Sequence, residues 1–170
     1  MLIFSVHTKD NIQQGVKQET SHLAERRFKE TSNGTQDMFN ELVMDEAHDI
    51  AFKRYFNQAH AEIMKYIPPE YLHGTPTDLT PVLREFPDFR QDRDFNLWLI
   101  APIGFLPNYR KSIDIKIEQF LIDYICYRWL ETKSPNDAMA YFARLEKTMR
   151  DVLSFLRRSI KPVRRIPSWV

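Results

Sequence analysis

Three kinds of side chain in this sequence have types and spacings that could do chemistry: histidines near carboxylates, a lone thiol, and paired acids. Asp45-x-x-His48 has the helical spacing at which one turn presents a carboxylate and an imidazole to a metal. A di-metal bundle needs a second such turn and two further carboxylates, and the other candidate turn, Asn57-x-x-His60, carries no acid. Polar positions on the solvent side of a long helix account for His48 and His60, and His7, His22 and His73 are scattered. No metal and no cofactor is expected. Cys126 sits inside the aromatic run IDYICYRW, the setting of a buried structural thiol; a nucleophilic cysteine needs an electropositive, partly exposed site. Asp45/Glu46 and Asp92/Asp94 could share protons, yet each lies in a charged run with nothing beside it to hold a substrate. The glycines at 15, 34, 74 and 104 are too dispersed for a phosphate loop, and neither G-x-S-x-G nor H-E-x-x-H occurs. The expectation is a protein without enzymatic activity.

A different chemistry is carried by the closing residues 157–170, RRSIKPVRRIPSWV. They hold five basic side chains (Arg157, Arg158, Lys161, Arg164, Arg165), no acid, and end on Trp169 and Val170. Pro162 and Pro167 forbid a regular helix and favour an extended segment. Ile160, Val163 and Ile166 alternate with the cations, which suits a peptide laid along an acidic, partly apolar partner surface. Burying Trp169 in a partner's pocket would contribute about 2–3 kcal/mol. The alternative is a tail that tracks phosphate. If all its cations met nucleic acid, log K would fall with log salt at a slope of about −4 to −5.

The elements that must position these groups read as mainly helical. Residues 2–6 (LIFSV) form a short strand. Helical spacing runs over 10–29 through Ile12, Val16, Leu23, Ala24 and Phe28, and SNGT at 32–35 breaks it. A further helix starts at 35 with Thr35 as its cap. From 45 to 67 the apolar positions Ala47, Ile50, Phe52, Phe56, Ala59 and Ile63 mark a long amphipathic helix, stopped by Pro68-Pro69. Residues 68–93, with five prolines, read as an irregular surface excursion. A β segment comes next over 94–106, alternating through Phe95, Leu97, Leu99, Ala101 and Ile103, with Pro102 at a strand edge or end. The clearest pattern is a helix over 108–131, then Ser134-Pro135-Asn136-Asp137 opening another that runs to 159. So short a joint makes the pair an antiparallel hairpin. The second helix mixes Arg144, Lys147 and Arg150 with Glu146 and Asp151, which disfavours reading of a DNA groove.

The totals agree with one domain over 1–159 plus the tail at 160–170. Twelve Phe, seven Tyr and three Trp furnish a core, and a net charge of +1 points to neither nucleic acid nor membrane as a partner of the whole molecule. One cysteine fits a reducing cytoplasm. MLIFSV lacks the features of a signal peptide, and no apolar run reaches the ~18 residues of a membrane span.

The order of these elements resembles the small helical head–tail connector (neck or adaptor) proteins of tailed bacteriophages and prophages, particularly those of Bacteroides-type bacteria. The likeness rests on DEAHDIAFKRYFNQAHAEIMKYI, then FNLWLIAPIGF, then the hairpin with YRWLE, SPNDAMAYFARLE and RRSIKPVRR. It implies about four helices with an inserted β element. It also implies a ring of about a dozen subunits beneath the portal, at the head–tail junction of the virion, assembled in the host bacterial cytoplasm. The portal and other neck and tail ring proteins would be its partners, with non-specific contact to packaged DNA. The docking tail would use Arg157, Arg158, Ile160, Lys161, Val163, Arg164, Arg165, Ile166 and Trp169. Phe95, Leu97, Trp98, Leu99, Ile100, Ile103 and Phe105 would meet a neighbouring subunit or line the lumen. The runner-up is a small cytoplasmic helical DNA-binding or regulatory module with a basic tail.

Overall fold

The computed structural model describes residues 1–30, 36–90 and 93–158. In chain order these form β1 (Leu2–His7), α1 (Lys9–Glu30), α2 (Gln36–Leu42), a 3-10 turn at Glu46–His48, α3 (Asp49–Tyr66), a second 3-10 turn at Pro69–Tyr71, α4 (Thr80–Glu85), β2 (Phe95–Ile100), α5 (Tyr109–Leu130) and α6 (Pro135–Arg157). Over the described residues the protein is mainly helical, as the periodicity predicts, with four long helices and one two-stranded sheet. No helix among the described residues is long and apolar enough to cross a membrane.

α5 is the axis. Its run FLIDYICYRWL is apolar on nearly every side, and a helix of that kind has to be enveloped. α1, α3, α6 and β1 all pack on it, leaving Ile113, Ile117, Phe120, Leu121, Ile125, Cys126 and Leu130 with no exposure at all. α6 is one-sided by contrast. Ala138, Tyr141, Leu145, Met149, Val152 and Leu156 face α5 as the spacing predicts, and residues 131–134 fold the pair into a hairpin. α1 crosses α5 at Gly15, where a Cβ would stand 2.5 Å from Ile122 Cδ1.

Local details depart from the sequence reading. The helix expected from residue 45 opens as a 3-10 turn, because the Asp45 carboxylate accepts from the Ala47 N–H at 3.0 Å. Ala47 in that turn faces solvent; Ile50, in α3 opposite the buried stripe of Phe52, Phe56, Ala59 and Ile63, is 87 % exposed, and Phe28 near the end of α1 is also exposed. Ser134 occupies the N-cap position of α6 without accepting a backbone N–H; its hydroxyl donates to Asp137 Oδ2 at 2.5 Å. Asp137 is buried and gripped by Arg27 through two hydrogen bonds of 2.8 and 3.0 Å, with Arg26 at 3.3 Å, so it pins the end of α1 to the start of α6. Thr35, the expected cap of α2, lies outside the described residues.

β1 and β2 pair antiparallel from Leu2↔Ile100 to His7↔Phe95. Ile3, Ser5 and His7 with Phe95, Leu97 and Leu99 form the inner face, which lies on the core. The outer face carries Leu2, Phe4 and Val6 with Asn96, Trp98 and Ile100. Within 68–93, expected to be an irregular surface excursion, α4 and the residues just after it cover part of that outer face. Val82 of α4 is buried against Val6 and Trp98, flanked by Leu79, Phe86 and Phe89. The far edge of β2 is met by Leu72, which bridges Leu99, and by His73, whose N–H donates to the Trp98 carbonyl at 3.0 Å. The strand alternation stops at Ala101. Gly104 then adopts φ 82, a conformation L side chains avoid, and throws Ile103 fully into solvent.

Candidate docking end and the buried charge network

α6 ends where α5 begins. Arg158 closes α6 with its N–H on the Ser154 and Phe155 carbonyls, at 3.1 and 3.2 Å. Its guanidinium lies 5.4 Å from the Phe155 ring and 5.6 Å from the Tyr109 ring, which stack on each other at 5.4 Å. Both are cation–π contacts, and they hold the Arg158 side chain against the start of α5. Arg157 beside it is exposed. The rest of the expected docking tail (Ile160, Lys161, Val163, Arg164, Arg165, Ile166 and Trp169) lies outside the described residues.

The β segment is less available to a neighbour than the sequence suggests. Phe95, Leu97 and Leu99 are in the core, Trp98 lies under α4, and Phe105 is buried as well. Pairing with β1 takes one edge of β2, and residues 72–73 meet the other. Ile100 at 39 % and Ile103 at 100 % exposure stay accessible, joined by Leu2, the register partner of Ile100. The outer face is thus apolar beyond the reach of α4.

A groove of about 330 Å³ opens beside this uncovered strip, between α4 and the start of α5. Phe4 and Phe86, edge to face at 6.0 Å, and Pro107 supply its apolar lining. Glu85, Arg110, Lys111 and Asp114 also line it. Arg110 stacks 4.3 Å over Phe4 and donates to both Glu85 oxygens at 2.8 Å. Asp114 accepts from the Ser5 hydroxyl at 2.6 Å and lies 3.3 Å from His7 Nε2. Burial pushes the Asp114 carboxyl up, but the hydrogen bonds from His7 and Ser5 outweigh it and hold it below the usual carboxylate range. On the same outer face, the buried Trp98 Nε1 has no acceptor among the described residues.

A second cluster joins α1, α5 and α6. Asp123 of α5 has no exposure. Its Oδ1 accepts from Gln119 at 3.1 Å and from Arg144 at 3.4 Å, while Oδ2 is buried without a partner among the described residues. Arg144 also donates to Glu19 at 3.2 Å, and the Tyr141 hydroxyl donates to the same oxygen at 3.2 Å. Burial pushes the Asp123 carboxyl up to about 6, against the pull of Arg144 and Gln119. Burial likewise raises the Tyr141 hydroxyl, and it carries the neighbouring Cys126 thiol well above its ordinary value. The thiol is therefore protonated and inert, as its sequence setting implies. The sequence reading misses Asp123. A signal for it exists: an acid inside a run that is apolar on every side has no solvent face to occupy.

The histidines are packed and not merely solvent-facing. His48 Nδ1 lies 2.8 Å from Asp45 Oδ1 with its ring edge-on to Trp129 at 4.6 Å. His60 is edge-on to Phe95 at 5.0 Å, and burial lowers its pKa. Of the paired acids, Glu46 binds Lys17 at 2.7 Å, and Asp92 is outside the described residues. No group of three or more His, Cys, Asp and Glu among the described residues could hold a metal. Comparison of the chain with protein-family models, with curated proteins and with solved structures found no match.

Proposed function

We propose that this chain is a structural subunit of a head–tail connector ring in a tailed bacteriophage or prophage. In this reading it docks beneath the portal through its C-terminal segment and extends the DNA channel toward the tail. Its work is geometric: identical heterologous contacts close a ring, and the tails clamp that ring to its neighbour. The observation that supports the reading most is the end of α6. A rigid hairpin delivers a basic, proline-containing segment at Arg158, beside the stacked Tyr109 and Phe155. The same chain leaves Ile100, Ile103 and Leu2 uncovered, apolar area of the kind a subunit contact removes from water.

The test is deletion of residues 160–170 in a phage or prophage background that encodes the chain. The truncated protein should fold, with an unchanged helical circular-dichroism spectrum, and should be missing from purified particles. Full-length chain counted against the portal by mass spectrometry should match it copy for copy. Normal incorporation of the truncated chain, or absence of the full-length chain from intact particles, overturns the proposal.

A further inference from the structure

The outer face of the sheet is left half covered, and the segment after Arg158 is the piece of chain placed to reach it. We propose that residues 159–170 dock back onto this face of their own molecule, with Trp169 in the groove lined by Phe4, Phe86 and Pro107. This concerns the free chain and does not rest on the connector reading.

Connectivity carries the inference. Arg158 lies over Tyr109, and Pro107 and Asn108, which line the groove, are the residues just before Tyr109 in the chain. Ile103 is six residues before Tyr109, hence within about 20 Å of it along any path of the backbone. Trp169 is eleven residues beyond Arg158. By the same bound Pro107 and Ile100 lie within about 7 and 32 Å of Tyr109, and eleven residues reach about 36–40 Å when extended, enough to meet both. Tethering at such a span gives an effective concentration in the millimolar range, far above that of a second copy at micromolar protein.

The chemistry of the two surfaces matches. The segment presents Ile160, Val163, Ile166 and Trp169, with cations between them that can stay in water. The receiving face presents Leu2 and Ile100, each about two-fifths exposed, and the groove, in which Phe4, Phe86 and Pro107 stand beside Glu85, Arg110, Lys111 and Asp114. An opening of about 330 Å³ beside the edge-to-face pair of Phe4 and Phe86 has room for one more aromatic side chain, which can meet the ring of Phe86 or the Arg110 guanidinium that covers Phe4. α4 already uses this mode of cover at the other end of the face, where Val82, Phe86 and Phe89 shield Trp98 and Val6. The tail would complete what α4 begins.

The experiment is site-specific photo-crosslinking of the purified full-length chain, with Trp169 replaced by p-benzoylphenylalanine. Unlabelled and ¹⁵N-labelled chains are mixed at low micromolar concentration before irradiation, and the joined peptides are identified by mass spectrometry. Docking in cis predicts joined peptides of matching isotope only, connecting the tail to peptides that contain Leu2–Phe4, Phe86 or Ile100–Pro107. In a Leu2→Asp/Ile100→Asp variant the yield of those products should fall about tenfold. Both positions are partly exposed, and circular dichroism checks that the variant remains folded. Products of mixed isotope would show that the segment docks on another copy and would overturn the proposal. Products scattered over other surfaces, or none at all, would overturn it too.

Discussion

The buried Asp123 makes a pH prediction that no exposed carboxylate could make. Its folded pKa is about 6, against an ordinary value of 3.8 in the unfolded chain. Between those values the native state holds a proton that the unfolded state has released. Stability contributed by this site is therefore complete below pH 3.8 and falls as pH rises toward 6, then stays flat. At 1.36 kcal/mol per pKa unit the loss is about 3 kcal/mol, with no discount for solvent because the side chain is fully buried. Asp123→Asn keeps an acceptor for Gln119 and Arg144 and cannot ionise. The stability difference between variant and wild type should be level in acid and shift in favour of the variant by about 3 kcal/mol as pH passes from about 4 to about 6.5. Urea unfolding at half-unit pH steps measures it. Asp114 and Asp137, whose carboxyls are held low, drive stability in the opposite sense, but they are common to both proteins and cancel in the difference. A difference that is flat with pH, or that moves against the variant, would refute the claim that Asp123 is held protonated by burial.

Other consequences can be checked more simply. His60 is held below its ordinary pKa by burial, so its contribution is present above pH 6.5 and is lost as pH falls; His60→Gln should be less sensitive than wild type to acid below that point in the same urea assay. Cys126 should resist a thiol reagent in the native protein and react at the rate of unfolding, with full reaction in denaturant; fast native labelling would contradict its burial. Gly104→Ala, forced to hold φ 82, should cost about 1–2 kcal/mol in thermal or urea unfolding without changing helix content.

The features legible in the sequence are local ones. The hairpin of α5 and α6 comes from spacing alone: Ile113, Ile117, Phe120 and Tyr124 on one helix, Tyr141, Leu145, Met149, Val152 and Leu156 on the other, and four residues between. Both strands are visible as strands for the same reason. Their pairing is not, because nothing near residues 2–7 says that their hydrogen bonds will be met by residues 95–100. The cover over the outer face escapes the sequence on the same ground. Val82 and Phe86 look like isolated apolar residues among prolines until Trp98 is placed beneath them. Ile50 is misplaced for a different reason: at 100° per residue it stands roughly opposite the stripe of Phe52, Phe56, Ala59 and Ile63, so it belongs to the solvent face of α3 although it is apolar. The expected contact surface over Phe95–Phe105 contracts to Ile100 and Ile103 because alternation cannot reveal that a second layer lies over the other face.

The pairing of β1 with β2 also sets an order of events during synthesis. β1 is made about ninety residues before the strand that pairs with it. At about 5–20 residues per second the first strand waits roughly 5–20 seconds with an unpaired edge. α1 and α3 wait as well, since the helix that buries their apolar stripes, α5, is made after both. The nascent chain thus carries a growing load of uncovered apolar surface until α5 is made. Such a chain is a natural client for holding chaperones, and stalled products that end before α5 should be cleared or aggregate where the complete protein does not.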